Sequence, residues 1–308
     1  MPVFQRQEIQ EVPRRETFAS VRQVRVHDDP DPRNSLCDMP QRGAVMADLT
    51  RFATRDSPVR VSAIPGLMKC PTRTVLMFLQ ATTDSSGEAA HNGSSFHCLL
   101  EAWYGSGFDT QHALAVEQSR RHEWSEAKFE KSVLPAFLGY AADPRNRIEL
   151  IASEIAINFE INPSPDDPTG ELIYLTGHID QIRGPVPQVW DTKLSRLGGG
   201  DLINSYAYQI AFYSIGATKF LGREVTPGGI IRCSTYATKE AAKQESPDGV
   251  FFPVNLGPDV LKHMAESFAR RVAAIRRGEV SSNPGDWCSY CPIGHVSRCV
   301  PLIEEVTK

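Results

Sequence analysis

Phe96, Leu99, Leu100, Trp103 and Tyr104 fall at i, i+3, i+4, i+7 and i+8 of a segment running from Ser94 to a stop at Gly105. That stripe predicts an amphipathic helix. His97 and Glu101 lie one residue off the stripe, one turn apart, on a common edge. Upstream, Ser62-Ala-Ile-Pro-Gly-Leu67 has the cap and early proline of a helix start, which carries Cys70 along it or just beyond. Residues 110–142 read as helical and include the basic cluster Arg120-Arg-His122. Ile148 to Ile161 is strand-like, with Glu154 interrupting an apolar lead-in; as a strand residue it reads equally as solvent-facing. Two further strands, Leu172 to Ile182 and Gln188 to Leu194, flank Arg183-Gly-Pro-Val-Pro187, which has the chemistry of a turn.

A helix follows from about Ile203 to Leu221, with Gln209 and Tyr213 at i and i+4 on one face, placed to touch a phosphate or brace a lysine, or as ordinary helix surface. Gly228 to Thr238 and Gly249 to Val254 read as strands. A last helix after Gly257-Pro-Asp259 turns Leu261, Met264, Ala265, Phe268, Val272 and Ile275 inward. Its end carries Arg270, Arg271, Arg276 and Arg277, cations that a helix dipole favours with or without DNA. Residues 1–56 are rich in Arg, Gln, Asp and Pro with little periodicity, and predict a poorly ordered or extended arm with one strand near Val21 to Val26. No internal repeat is present.

The hairpin carries the first chemical signal. Gly177-His-Ile-Asp180 precedes the turn and Asp191-Thr-Lys193 follows it. A hairpin centred between Pro185 and Val186 sets Asp180 opposite Asp191, with Cβ atoms roughly 5 Å apart, close enough for two carboxylates to share a divalent cation. Strand alternation places Lys193 on the face of Asp191. Two carboxylates on a metal beside an ammonium can polarise a phosphate and activate water, which is nuclease chemistry. The acidic-x-Lys pattern is cheap: composition predicts about one match by chance, and Glu126-Ala-Lys128 is a second. Placement distinguishes the first, with Val189 and Trp190 leading into it.

Composition narrows the setting. With 308 residues and 41% apolar content the chain can bury a large core. No stretch approaches the roughly 20 apolar residues that cross a bilayer, and the start lacks a signal-peptide layout, so a soluble, cytoplasmic protein with no membrane partner is expected. A net charge of -4 exerts no global pull on nucleic acid and does not exclude a nuclease. Seven cysteines in a cytosolic chain argue for metal or cluster ligation, or burial, before disulfides. Cys37, Cys98 and Cys233 are scattered and read as small core or surface residues. Cys288, Cys291 and Cys299 crowd the C-terminus and Cys70 stands alone. Cys288-x2-Cys291-x3-His295-x3-Cys299 also has the make-up of a compressed zinc knuckle, which would leave Cys70 a buried thiol. No Gly-x4-Gly-Lys-Ser/Thr loop is present, so no ATP motor is recognisable.

Taken in order, the motifs resemble the RecB-like branch of the PD-(D/E)xK nucleases, and within it the iron-sulfur members typified by AddB nuclease domains and the CRISPR-associated Cas-four proteins. Ser62 to Arg73, with Cys70-Pro-Thr-Arg73, resembles that family's opening helix, and Gly93-Ser-Ser-Phe-His97 its Gly-x-x-x-His motif. The two hairpin motifs resemble its central acidic motifs, Gln209-Ile-Ala-Phe-Tyr213 its Gln-x-x-x-Tyr, and Pro284 to Pro292 its closing cluster motif. The resemblance implies an α/β fold: a restriction-endonuclease-like core, a central mixed β-sheet flanked by helices, and a cysteine-ligated cluster joining the two ends. The nuclease domain would span 57–308, with a helical insertion at about 93–145 and a cluster segment at about 284–300.

It also implies His97, Asp180, Asp191 and the Thr192 carbonyl around Mg²⁺ or Mn²⁺, with Glu154 in an outer shell or on a second metal. Lys193 would orient or help deprotonate water, and Gln209 and Tyr213 would contact DNA. Cys70, Cys288, Cys291 and Cys299 would hold a 4Fe-4S cluster, although the last two cysteines have seven residues between them where the family usually has five. The implied activity is exonucleolytic hydrolysis of DNA, expected on single-stranded ends with 5′ to 3′ polarity, in recombination, repair, replication or processing. A helicase or recombination partner fits the resemblance, and oligomeric state is left open. The competing class is a nucleic-acid-binding protein whose zinc knuckle binds and whose acidic hairpin is not catalytic.

Overall fold

A computed structural model describes residues 48–78, 88–120, 129–147, 150–195, 199–233, 251–283, 285 and 288. In chain order the elements are β1 (Val59–Arg60), α1 (Ile64–Lys69), α2 (Pro71–Phe78), α3 (Glu88–Gly105), α4 (Thr110–Arg120), α5 (Leu134–Ala142), β2 (Leu150–Ile161), β3 (Ile173–Arg183), β4 (Gln188–Leu194), α6 (Gly199–Leu221), β5 (Thr226–Cys233), β6 (Phe251–Pro253) and α7 (Pro258–Arg276). The strands form one mixed sheet ordered β1-β3-β4-β5-β6, with β2 added against β3. This is the α/β architecture expected, a mixed sheet with helices packed on it.

The centre of the sheet is β3. Along one edge it pairs antiparallel with β2, from Leu150↔Arg183 to Ile161↔Ile173. Its other edge is divided: β4 pairs with residues 181–183 and β1, in parallel, with Leu175 and Thr176. Residues 177–180 lie between these two partners, so β3 and β4 part company at Asp180. The β3–β4 turn is residues 184–187, entered through Gly184 at φ +93°, a conformation glycine adopts without a Cβ penalty.

Strand alternation builds two cores. Val189 and Ile230 face α1, α6 and α7, joining Ile64, Leu67, Leu175, Ile210, Phe212 and Phe268. Trp190 and Ile231 face the other way, against Phe96, Leu99, Leu100, Trp103 and Phe137 of α3 and α5. The stripe predicted on α3 is fully buried from Phe96 to Trp103. Each such side chain removed from water is worth roughly 1.5–3 kcal/mol, which seats α3 firmly on the sheet. The helix begins at Glu88, a turn and a half before the expected start.

Residues 48–56, expected to belong to the N-terminal arm, enter the first core instead: Leu49, Phe52 and Ala53 are buried. Arg276 explains how. It is 3% exposed, ion-paired to buried Asp167 at 2.9 Å, and donates to the carbonyls of Phe52 (3.0 Å) and Ala53 (3.2 Å). Arg276 is therefore an internal clip and does more than complement the helix dipole. The proposed strand at 21–26, Cys37, Arg121, His122, Glu126, Lys128, Cys291, His295 and Cys299 lie outside the described residues, as does the strand expected beyond Cys233. Among the described residues no helix is long and apolar enough to cross a membrane.

Candidate active site

Where β3 and β4 separate, their side chains replace the backbone ladder. The last paired residues are Gln181 and Trp190, one step short of Asp180 and Asp191, and the register is the one predicted from the turn. At that step the Asp180 carboxylate turns inward and Oδ2 accepts from the backbone N–H of Thr192 at 2.6 Å. The carboxylate thereby satisfies a strand donor that no longer has a carbonyl opposite it.

Three elements aim donors at this gap. His97, from the α3 edge, puts Nδ1 3.7 Å from Asp180 Oδ1. Glu154, on β2 directly across from Asp180, has φ +49°, a backbone state rare for a side chain longer than glycine's. Metal-ligating atoms of His97, Glu154 and Asp180 all lie within 4.8 Å of one another. Glu154 is not the solvent-facing residue its strand position allowed: its Oε1 is buried and has no hydrogen-bond partner among the described residues.

Asp191, expected to share a cation with Asp180, is held by two neighbours. Its Oδ1 accepts from Gln209 Nε2 at 2.8 Å and its Oδ2 lies 2.7 Å from Lys193 Nζ. The Lys193 ammonium also stands 5.0 Å above the Tyr206 ring, a cation–π contact. Gln209 and Tyr213 are themselves buried. The Gln209 amide braces Asp191, and Tyr213 packs against Gly177, where an added Cβ would stand 2.8 Å from the ring's Cε1. The glycine before Asp180 is thus a steric requirement of the tyrosine four residues after Gln209. Tyr206 was not anticipated, though its place three residues before Gln209 on the same face was a readable signal.

The electrostatics follow from burying several acids together. Burial, then Asp180, Glu101 and Asp191, push the Glu154 carboxyl up to about 9. Burial lifts Asp191 to about 6, with Lys193 opposing and Asp180 adding. Burial alone would discharge Lys193, but Asp191 and Asp180 outweigh it and hold the ammonium above its ordinary value. Burial also raises the Tyr213 phenol, helped by the same two carboxylates. Such a set is costly without a cation. An imidazole nitrogen, carboxylate oxygens and the orphaned Glu154 Oε1 suit a hard divalent ion such as Mg²⁺ or Mn²⁺.

At the far end, Cys70 is buried and Cys288 half-buried. Asn283 Nδ2 donates to the carbonyl of Lys69 at 3.0 Å, so the segment leading to Cys288 is fastened to the residue before Cys70. The Gly285 N–H points at Cys288 Sγ, 3.5 Å away.

Comparison with known proteins agrees with the geometry. A search of curated proteins finds no match. Among solved structures, the crystal structure of SSO0001 aligns at 14% identity with a TM-score of 0.38, covering 79% of this chain and 87% of that one, a likeness too distant to bear on the site. A family model described as the PD-(D/E)XK nuclease superfamily matches residues 59–298, from β1 through α7 and past Cys288. The acidic gap between β3 and β4, with its lysine, lies inside that match, and the chain belongs to the PD-(D/E)XK nuclease superfamily.

Proposed function

We propose that the protein is a Mg²⁺- or Mn²⁺-dependent DNA exonuclease of the RecB-like, iron-sulfur type. The observation that carries the reading is the convergence of His97, Glu154 and Asp180 on one point beside a lysine kept charged by Asp191. A divalent cation there would polarise the scissile phosphate and lower the pKa of a water molecule. The residues' own work is distinct. His97, Asp180, Glu154 and, in the family pattern, the Thr192 carbonyl and Asp191 supply donor atoms. Lys193, protonated in the metal-free protein, stabilises negative charge developing on the phosphate instead of serving as a base. Asp191 and Tyr206 fix the ammonium, and Gln209 fixes Asp191.

The resemblance to the RecB-like branch, in which a histidine ligand goes with exonucleases, supports exonucleolytic action on free, single-stranded ends, within recombination, repair, replication or processing, where a helicase would supply the strand. Cys70 with Cys288, Cys291 and Cys299 would hold a 4Fe-4S cluster closing a loop of over two hundred residues. The Asn283–Lys69 contact supports that closure, and the Gly285 N–H near Cys288 Sγ is the kind of hydrogen bond that tunes a cluster sulfur. The test is cleavage of linear and circular single-stranded DNA with Mg²⁺ by the wild type, Asp180→Ala and Lys193→Ala, alongside DNA affinity. Cleavage of the linear form only, lost in both variants with affinity retained, is expected. DNA binding with no cleavage by the wild type refutes the reading and favours a binding module. Absorption near 400 nm with about four irons, both lost in Cys70→Ala, is the expected signature of the cluster.

A further inference from the structure

On the sheet face opposite the carboxylates lies one buried polar side chain that the chemistry above leaves unused. We propose that Gln181 is a positioning residue of the metal centre, tying the helices that carry and flank His97 to the strand that carries Asp191 and Lys193. The inference rests on the metal-dependent reading of the site.

Gln181 follows Asp180 in β3 and is fully buried. Its Nε2 donates to Tyr140 Oη of α5 at 2.6 Å and to Thr192 Oγ1 of β4 at 2.9 Å. Tyr140 Oη in turn bonds Tyr104 Oη on α3. Tyr104 stands seven residues, two turns, beyond His97 on the same helix face. Thr192 lies between Asp191 and Lys193, and its N–H is the donor to Asp180. Thr192 is therefore held from both faces of the sheet: by Asp180 through its backbone on one side and by Gln181 through its hydroxyl on the other. Both bonds occur just where the β3–β4 ladder ends. Beyond that point β4 is laddered to β5 and not to β3, so these two bonds link β4 to β3 where Asp180 stands beside Asp191 and Lys193.

The amide satisfies only part of its own bonding capacity. Gln181 Oε1 is buried with no partner among the described residues, a cost that leucine, of similar volume, would avoid. Ile179 and Ile182 point into the other core, so the amide's own surroundings are the Tyr140 and Thr192 hydroxyls that it bridges. A side chain that tolerates an unpaired acceptor to make two cross-element bonds is better explained by geometry than by packing.

The test is Mn²⁺ titration of the full-length protein, read by the electron paramagnetic resonance of free Mn²⁺, on the wild type, Gln181→Leu and Tyr140→Phe. Gln181→Leu should keep the wild-type fold and stoichiometry, yet bind Mn²⁺ about 10–100-fold more weakly. Its kcat should fall while KM for DNA holds, and raising Mn²⁺ should restore part of the rate. Tyr140→Phe, which removes one of the two bonds and keeps the ring, should fall between. Unchanged Mn²⁺ affinity in both variants overturns the inference. So does a loss of stoichiometry at unchanged affinity, which would report misfolded protein and a structural role only. A wild type that binds no Mn²⁺ overturns the metal reading, and the inference with it.

Discussion

Gly177→Ala should damage the site from a distance, and the size of the effect follows from one contact. The new methyl would stand 2.8 Å from Tyr213 Cε1 and 3.4 Å from Val61 Cβ. Carbon atoms pack at about 3.5–4.0 Å, so the ring must retreat by roughly 1 Å. It has little room, being 4% exposed and mounted on α6. Overpacking of this kind costs about 1–3 kcal/mol. For a domain of this size, about 2 kcal/mol lowers Tm by roughly 4–8 °C. Gln209 lies one turn earlier on α6 and holds Asp191 at 2.8 Å, so movement of that turn loosens the carboxylate that anchors Lys193. A misplacement near 1 Å can cost on the order of 100-fold in rate. The assay is thermal unfolding together with single-turnover DNA cleavage at saturating Mg²⁺, for Gly177→Ala alone and in a Tyr213→Leu background. Removing the ring should relieve the clash, giving a coupling of about 1–2 kcal/mol between the sites. An alanine variant as stable as the wild type, or equally destabilised with and without the ring, would show that Tyr213 is not the obstacle.

Arg276→Met should destabilise by about 3–5 kcal/mol, because it strands the buried Asp167 carboxylate and frees the carbonyls of Phe52 and Ala53; urea unfolding within 1 kcal/mol of wild type would contradict the clip. Metal-free protein should lose stability as pH rises from about 4 to 9. Glu154 moves from its ordinary 4.5 to about 9 and Asp191 from 3.8 to about 6, so across that window the unfolded chain holds fewer protons than the native one, and the loss ends above about 9. Tm measured in a chelator should fall over this range, less so in Glu154→Gln, and an identical slope in the two proteins would count against the Glu154 assignment. With Mn²⁺ present, Glu154→Gln should bind the ion about tenfold more weakly, measured by calorimetry; unchanged affinity would remove Glu154 from the donor set.

Local periodicity made much of the fold legible. The α3 stripe, the β3–β4 turn and even its register could be read because each depends on residues within a few positions of one another. The Arg276 clip could not be read, since its partners stand more than 100 residues away in sequence and a charged helix terminus is usually solvated. For the same reason residues 48–56 looked like an arm: their polarity is local, whereas Leu49 and Phe52 join a core built from distant elements, with Phe52 against Phe78 of α2 and its carbonyl on Arg276 of α7. The parallel docking of β1 beside β3 is likewise non-local, and it decides where β3 is left without a second partner.

The site was legible for the residues that bear charge and much less for those that hold them. Asp180, Asp191, Lys193 and His97 drew notice through the order of their motifs along the chain, since acidic-x-Lys and a lone helical histidine are each common by themselves. Gln209 and Tyr213 announced a motif but not its direction: both point inward, one to a carboxylate and one to a missing Cβ. Glu154 gave no sign of its left-handed backbone, a strain supported only by tertiary packing. Gln181 shows the limit most clearly. A polar residue between Ile179 and Ile182 in a strand reads as an accident or an exposed edge, and only the strands' separation at Asp180 gives its amide something to bridge. Catalytic groups can be found from what they are; supporting groups are found from where the backbone ladder stops, because there side chains must take over the work of hydrogen bonding.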